Sequence, residues 1–67
     1  MYRNIEAERG RAMMSKTELA EYLGVSRYTY DNYIKGKRPI PSAVLVVLSS
    51  LFGVSTDYLL GLKEDRS

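Results

Sequence analysis

Apolar residues recur along most of this chain at spacings of three and four, the period of an α-helix that buries one face. Turn and cap signals divide the pattern into five short helices. The first is expected from about Arg3 to Met13, with Ile5, Ala7, Glu8 and Arg9 in its middle and Gly10 weakening it by up to ~1 kcal/mol. Ser15 and Glu18 have the spacing of a capping box, in which each side chain meets the other residue's free backbone N–H, so a second helix runs over about 15–23. Leu19, Ala20 and Leu23 lie on its inner face, and Gly24 suits the left-handed conformation that ends a helix. Ser26 caps a third helix over about 26–35, stopped by Gly36. Pro39 and Pro41 forbid regular structure between them. A fourth helix opens at Pro41 or Ser42 and ends at Gly53; a fifth is capped by Ser55, carries Asp57 in its first turn and closes at Gly61.

The central feature is a helix, a three-residue turn (Gly24, Val25, Ser26) and a second helix, which sets the two helices at a steep angle so that one enters a groove while the other braces it. At ~100° per residue, Tyr30, Tyr33 and Ile34 share one apolar arc of the third helix and face the core. The opposite side carries Tyr28, Asp31, Asn32 and Lys35, with Arg27 and Thr29 at its margins. These side chains suit nucleic acid. Arginine offers paired donors to guanine, asparagine matches adenine, an acid accepts from cytosine, and Tyr28 fits a thymine methyl or a sugar. Asp31 either repels phosphate and sharpens specificity or simply sits in solvent.

In the fourth helix Val44, Leu45, Leu48, Leu51 and Phe52 form the core stripe, while Ala43, Val46, Val47 and Ser50 fall outside it. Exposed Val46 and Val47 fit either a contact with another subunit or partner, or the ordinary scatter of apolar residues on a surface.

Composition narrows the function. A chain of 67 residues supports one domain with one modest core. There is no cysteine and no histidine, which removes disulfides, common structural zinc sites and the usual nucleophile–base pairs; no metal or cofactor is expected. Together with the lack of paired carboxylates, a phosphate loop or room for a pocket, this argues against an enzyme and against a small-molecule ligand. The most apolar stretch, Ala43 to Phe52, is about half the ~20 residues needed to span a bilayer, and no signal peptide is evident, so a cytoplasmic protein is expected. The net charge of +2 has its own place: between Lys16 and Arg38 five basic residues face three acidic ones, and elsewhere the two signs are equal. The excess lies where phosphates would be met.

Three blocks carry a resemblance: Glu18-Leu-Ala-Glu-Tyr-Leu-Gly-Val-Ser26, Tyr33-Ile-Lys-Gly-Lys-Arg38, and Leu51-Phe-Gly-Val-Ser-Thr-Asp-Tyr-Leu-Leu-Gly61. In this order and spacing the chain resembles the Cro/C1-type (Xre) helix-turn-helix family, which includes the lambdoid phage repressors and Cro proteins, from Ile5 to Leu62. The resemblance implies an all-α fold, a compact five-helix bundle of the lambda-repressor type, binding double-stranded operator DNA as a homodimer. It implies base contacts from Arg27, Tyr28 and Asn32, which with Asp31 from the helix wheel form the base-reading set. Lys16, at the start of the second helix, is implied to touch phosphate, as are Lys35, Lys37 and Arg38; Thr29 at the margin joins this set. It also implies a dimer contact around Thr56, Leu59, Leu60 and Leu62.

Departures from the family pattern are visible. Lys16 stands where many relatives have glutamine. The position of Ile34 often holds a glutamate paired with an arginine like Arg9, so here Arg9 is either solvated or takes another partner. Met13 replaces a glycine that often ends the first helix, and Tyr30 replaces a smaller aliphatic residue. Of the six tyrosines, Tyr30, Tyr33 and Tyr58 are expected in the core, Tyr22 on the surface and Tyr2 at a frayed end, leaving only Tyr28 for nucleic acid. The leading function is thus a sequence-specific regulator of transcription, most simply a repressor. The alternative is a protein-interaction module on the same fold, such as an antitoxin-like or partner-capturing regulator.

Overall fold

Five α-helices follow one another in the computed structural model, which describes residues 1–64: α1 (Arg3–Arg11), α2 (Lys16–Leu23), α3 (Arg27–Lys35), α4 (Ser42–Phe52) and α5 (Thr56–Leu59). No strand occurs among the described residues, so the all-α expectation holds. The starts are set by side-chain oxygens. Ser15 Oγ accepts from the Glu18 N–H at 3.0 Å while Glu18 accepts from the Ser15 N–H at 2.7 Å, completing the capping box. Ser26 and Ser55 accept from the N–H groups of Thr29 and Tyr58, each at 3.1 Å.

α1 is two residues shorter than its pattern predicts. Ala12 and Met13 donate to Glu8 and Gly10 of the last turn, and Met13 adopts a left-handed φ of 57°. A methionine therefore makes the bend that glycine makes more cheaply, because an L side chain in this region meets the neighbouring carbonyl. The Met13 side chain is 90% exposed and packs on nothing that would offset this.

α2 packs on α3, α4 on α5, and α1 against both α3 and α5. The shared core holds Ile5, Leu19, Ala20, Tyr30, Ile34, Leu48, Val54, Tyr58 and Leu59, with Val44, Leu51 and Phe52 partly buried against it. In α4 the stripe runs as expected: Leu48 is buried, Leu45 half-buried, and Val46 stands 63% exposed on the other side. Tyr2 is not frayed: its N–H donates to the Ile34 carbonyl at 2.9 Å and its ring packs against the core, because α1 begins alongside the end of α3. No described helix is long and apolar enough to cross a membrane.

The core also contains a carboxylate that the sequence reading placed in α1 without a role. Glu8 is buried, and its Oε2 accepts from the Tyr58 hydroxyl at 3.0 Å and faces Arg11 Nε at 3.3 Å. A buried charge without such partners would cost several kcal/mol. Tyr58 thereby links α5 to α1.

Candidate nucleic-acid interface

The turn between α2 and α3 is built from Gly24, Val25 and Ser26. Gly24 takes φ 73°, ψ 27°, a conformation open to glycine because it lacks a Cβ. Val25 then donates its N–H to Ala20 at 3.0 Å and packs its side chain against the core. The bend is thus held at both ends: by the left-handed residue that starts it and by the Ser26 cap that finishes it.

α3 divides as the helical wheel predicts. Tyr30, Tyr33 and Ile34 are buried, Tyr30 at 1% exposure. Tyr28 on the opposite side is 74% exposed, and Arg27 and Lys35 are exposed. Thr29, Asp31 and Asn32 are intermediate. The outer residues are not equivalent. Arg27 Nε donates to Asp31 Oδ1 at 3.3 Å, one turn further along the helix. Among the described residues Tyr28, Asn32, Lys35 and Lys37 have no side-chain hydrogen bond or ion pair.

The basic loop after α3 folds back to the first turn of that helix. Thr29 Oγ1 accepts from Ser26 Oγ at 3.1 Å and from an Arg38 guanidinium nitrogen at 3.5 Å. Gly36 turns the chain in the left-handed region, and the Lys37 N–H closes on the Asn32 carbonyl at 3.0 Å. Arg38 thereby lies beside the first turn of α3, in long contact with Thr29.

Lys16 opens α2, its Nζ 3.9 Å from Glu6 Oε1. Glu6 is the anchor that sequence reasoning missed. It accepts from Arg9 Nε at 3.1 Å, from a second Arg9 nitrogen at 3.2 Å and from the Tyr30 hydroxyl at 2.6 Å. Arg9 also donates to the Met14 carbonyl at 2.8 Å. The missing acid at Ile34 is therefore replaced from within α1, and the extra length of Tyr30 brings its hydroxyl to the same carboxylate. Burial works against the charged form of Glu6, but hydrogen bonds from Arg9 and Tyr30 and the charges of Arg9 and Lys16 together hold its carboxyl below the usual value. Burial and the hydrogen bond to Glu6 push the Tyr30 phenol well above its ordinary value. The three-residue spacing of Glu6 and Arg9 was a visible clue; the link to Tyr30 spans 24 positions and left none.

The sequence model of the helix-turn-helix family matches residues 5–59, more than half of the chain. This chain belongs to the Cro/C1-type helix-turn-helix family. Among curated proteins it is 36% identical over 62 residues to the HTH-type transcriptional regulator ImmR of Bacillus subtilis (strain 168), covering 92% of this chain and 49% of ImmR. It is 36% identical over 52 residues to the uncharacterized HTH-type transcriptional regulator YobD of the same strain, covering 78% of this chain and 46% of YobD. A third relative in that strain, the SPbeta prophage-derived uncharacterized regulator YonR, is 41% identical over 46 residues, 69% of this chain and 43% of YonR. The chain spans about half the length of the curated relatives it matches. No solved structure matches it significantly. The match begins at Ile5 and ends at Leu59, so it takes in the turn, α3 and the basic loop together.

Of the four residues expected at a dimer contact, Leu59 is a core residue at 0% exposure and has no surface to offer. It lies on the inner side of α5 beside Tyr58, and that expectation is corrected. Thr56 and Leu60 are intermediate and Leu62 is exposed.

Proposed function

We propose that this protein regulates transcription by binding double-stranded operator DNA sequence-specifically, with α3 seated in the major groove, most simply as a repressor of the Cro/C1 type acting in the cytoplasm. The observation that carries the reading is the division of α3. One side is locked into the core by Tyr30, Tyr33 and Ile34, while the other presents Arg27, Tyr28 and Asn32 next to the cations of the Lys35–Arg38 loop. A groove-reading helix needs this combination of a fixed back, a polar front and flanking positive charge.

In this reading Arg27, Tyr28, Asp31 and Asn32 address base edges. Lys16, Lys35, Lys37 and Arg38 meet phosphates, with Thr29 beside Arg38. Pairing of two copies through Thr56, Leu60 and Leu62 would set half-sites one helical turn, ~34 Å, apart. Selection of bound fragments from a pool of random duplexes tests the proposal. An enriched two-fold symmetric site is expected, with the preference at one base position relaxed by Arg27→Ala; no enrichment would contradict it.

Exposed Val46 and Val47 on α4 favour a second reading, an interaction module on the same fold. Random duplex DNA at low salt separates the two, since phosphate contacts alone give measurable binding there.

A further inference from the structure

We infer that Glu6 is an internal competitor for the phosphate that Lys16 meets, restraining sequence-independent DNA binding through that lysine. The inference rests on the DNA-binding reading above and concerns a residue outside the reading helix and the loop.

The cluster is fixed on three sides and loose on the fourth. Glu6 is held by two nitrogens of Arg9 and by the Tyr30 hydroxyl at 2.6 to 3.2 Å. Tyr30 is buried in α3, and Arg9 is tied in turn to the Met14 carbonyl, two residues before Lys16. The carboxylate therefore cannot swing away. The Lys16 ammonium sits 3.9 Å from Oε1, beyond hydrogen-bond length, on a side chain 41% exposed. It is the most exposed member of the group and is held by no hydrogen bond.

Two cations face one anion here, so the cluster keeps one positive charge, and the charge on Lys16 is the one a phosphate can reach. A phosphate that takes up this ammonium must share it with a carboxylate that stays in place. The repulsion is the same for every base sequence, because phosphates carry no sequence information. Glu6 thus lowers affinity for all duplexes alike and leaves base reading to α3.

Glu6→Gln removes the charge and keeps one carbonyl, which in the place of Oε2 accepts from the Tyr30 hydroxyl and Arg9 Nε, while the contact of the second Arg9 nitrogen with Oε1 is given up. Binding of a random-sequence duplex is measured over a range of salt for the wild type, Glu6→Gln, Lys16→Gln and the double variant, with thermal melts alongside. The expected result is about two- to fivefold tighter binding by Glu6→Gln, the size of a partly exposed ion pair, with no gain when Lys16→Gln is also present. A merely structural role predicts the opposite sign, weaker binding in step with a lower melting temperature. Unchanged or weaker binding by Glu6→Gln overturns the inference. So does an equal gain in the Lys16→Gln background, which would assign the effect to an unmasked Arg9. If the wild type binds and Lys37→Ala weakens it while Glu6→Gln changes nothing, this inference alone falls. If neither the wild type nor Glu6→Gln binds duplex at low salt, the DNA reading falls and takes the inference with it.

Discussion

Arg27 and Asp31 lie one turn apart on the open face of α3, with the guanidinium Nε 3.3 Å from both Oδ1 and Oδ2 of the carboxylate. The contact is made by Nε, so the two terminal nitrogens of Arg27 keep their donors for another partner. Asp31, ambiguous in the sequence, is thus a partner of Arg27. Arg27→Ala is expected to cost about 1–3 kcal/mol of binding to the selected operator and to relax the preference at one base position. Asp31→Ala unpins the guanidinium and removes a negative charge, so it should narrow the operator-to-random affinity ratio by about two- to fivefold. Competition titrations against operator variants read both effects.

Lys37 extends from the basic loop without a protein partner among the described residues. Lys37→Ala should weaken operator and random duplexes by the same factor and reduce the logarithmic salt slope by about 1. A change in base preference would place Lys37 on a base edge instead.

Met13 offers a stabilising change. Its φ of 57° disfavours any side chain but leaves the position open to glycine, and the exposed thioether has no packing to lose. Met13→Gly should stabilise the fold by about 1 kcal/mol, after the larger chain entropy of glycine is set against the relieved strain. In a thermal melt this corresponds to a rise of about 4–8 °C for a domain of this size.

Tyr30→Phe tests the Glu6 cluster as a part of stability. At neutral pH the loss of a hydrogen bond to a charged carboxylate should cost about 1.5–3 kcal/mol in urea unfolding. The folded-state carboxyl of Glu6 is depressed, so its contribution is present above the ordinary value of 4.5 and is lost as pH falls through the folded value. The difference between wild type and variant should therefore shrink in acid. The Tyr30 phenol is raised, so its contribution is present below the ordinary 10.0 and lost only as pH rises beyond it.

What could be read in advance was whatever depends on neighbours in the chain. Ser15 with Glu18, Ser26, Gly24 and the arc of Tyr30, Tyr33 and Ile34 are local signals, and the structure has each where caps and periodicity put it. The short end of α1 escaped because Met13 does the work of a glycine, against its own conformational preference. The resemblance alone puts Leu59 at a subunit contact, whereas its place beside Tyr58 in a four-residue helix turns it into the core. Glu6 and Glu8 were the larger omissions. Their partners Tyr30 and Tyr58 lie 24 and 50 residues away, and only the packing of α1 across α3 and α5 brings them within reach. Glu8 falls three residues after Ile5 and so on the same buried face, a pattern that would have shown a carboxylate in need of partners.

Backbone amide shifts recorded while the selected duplex is titrated into the protein test the central claim most directly. The account predicts that the residues moved most are Lys16, those from Ser26 to Asn32, and those of the Lys35–Arg38 loop, with the outer face of α4 unmoved. Shifts confined to Ala43, Val46, Val47 and Ser50, or none at all at low salt, would contradict it.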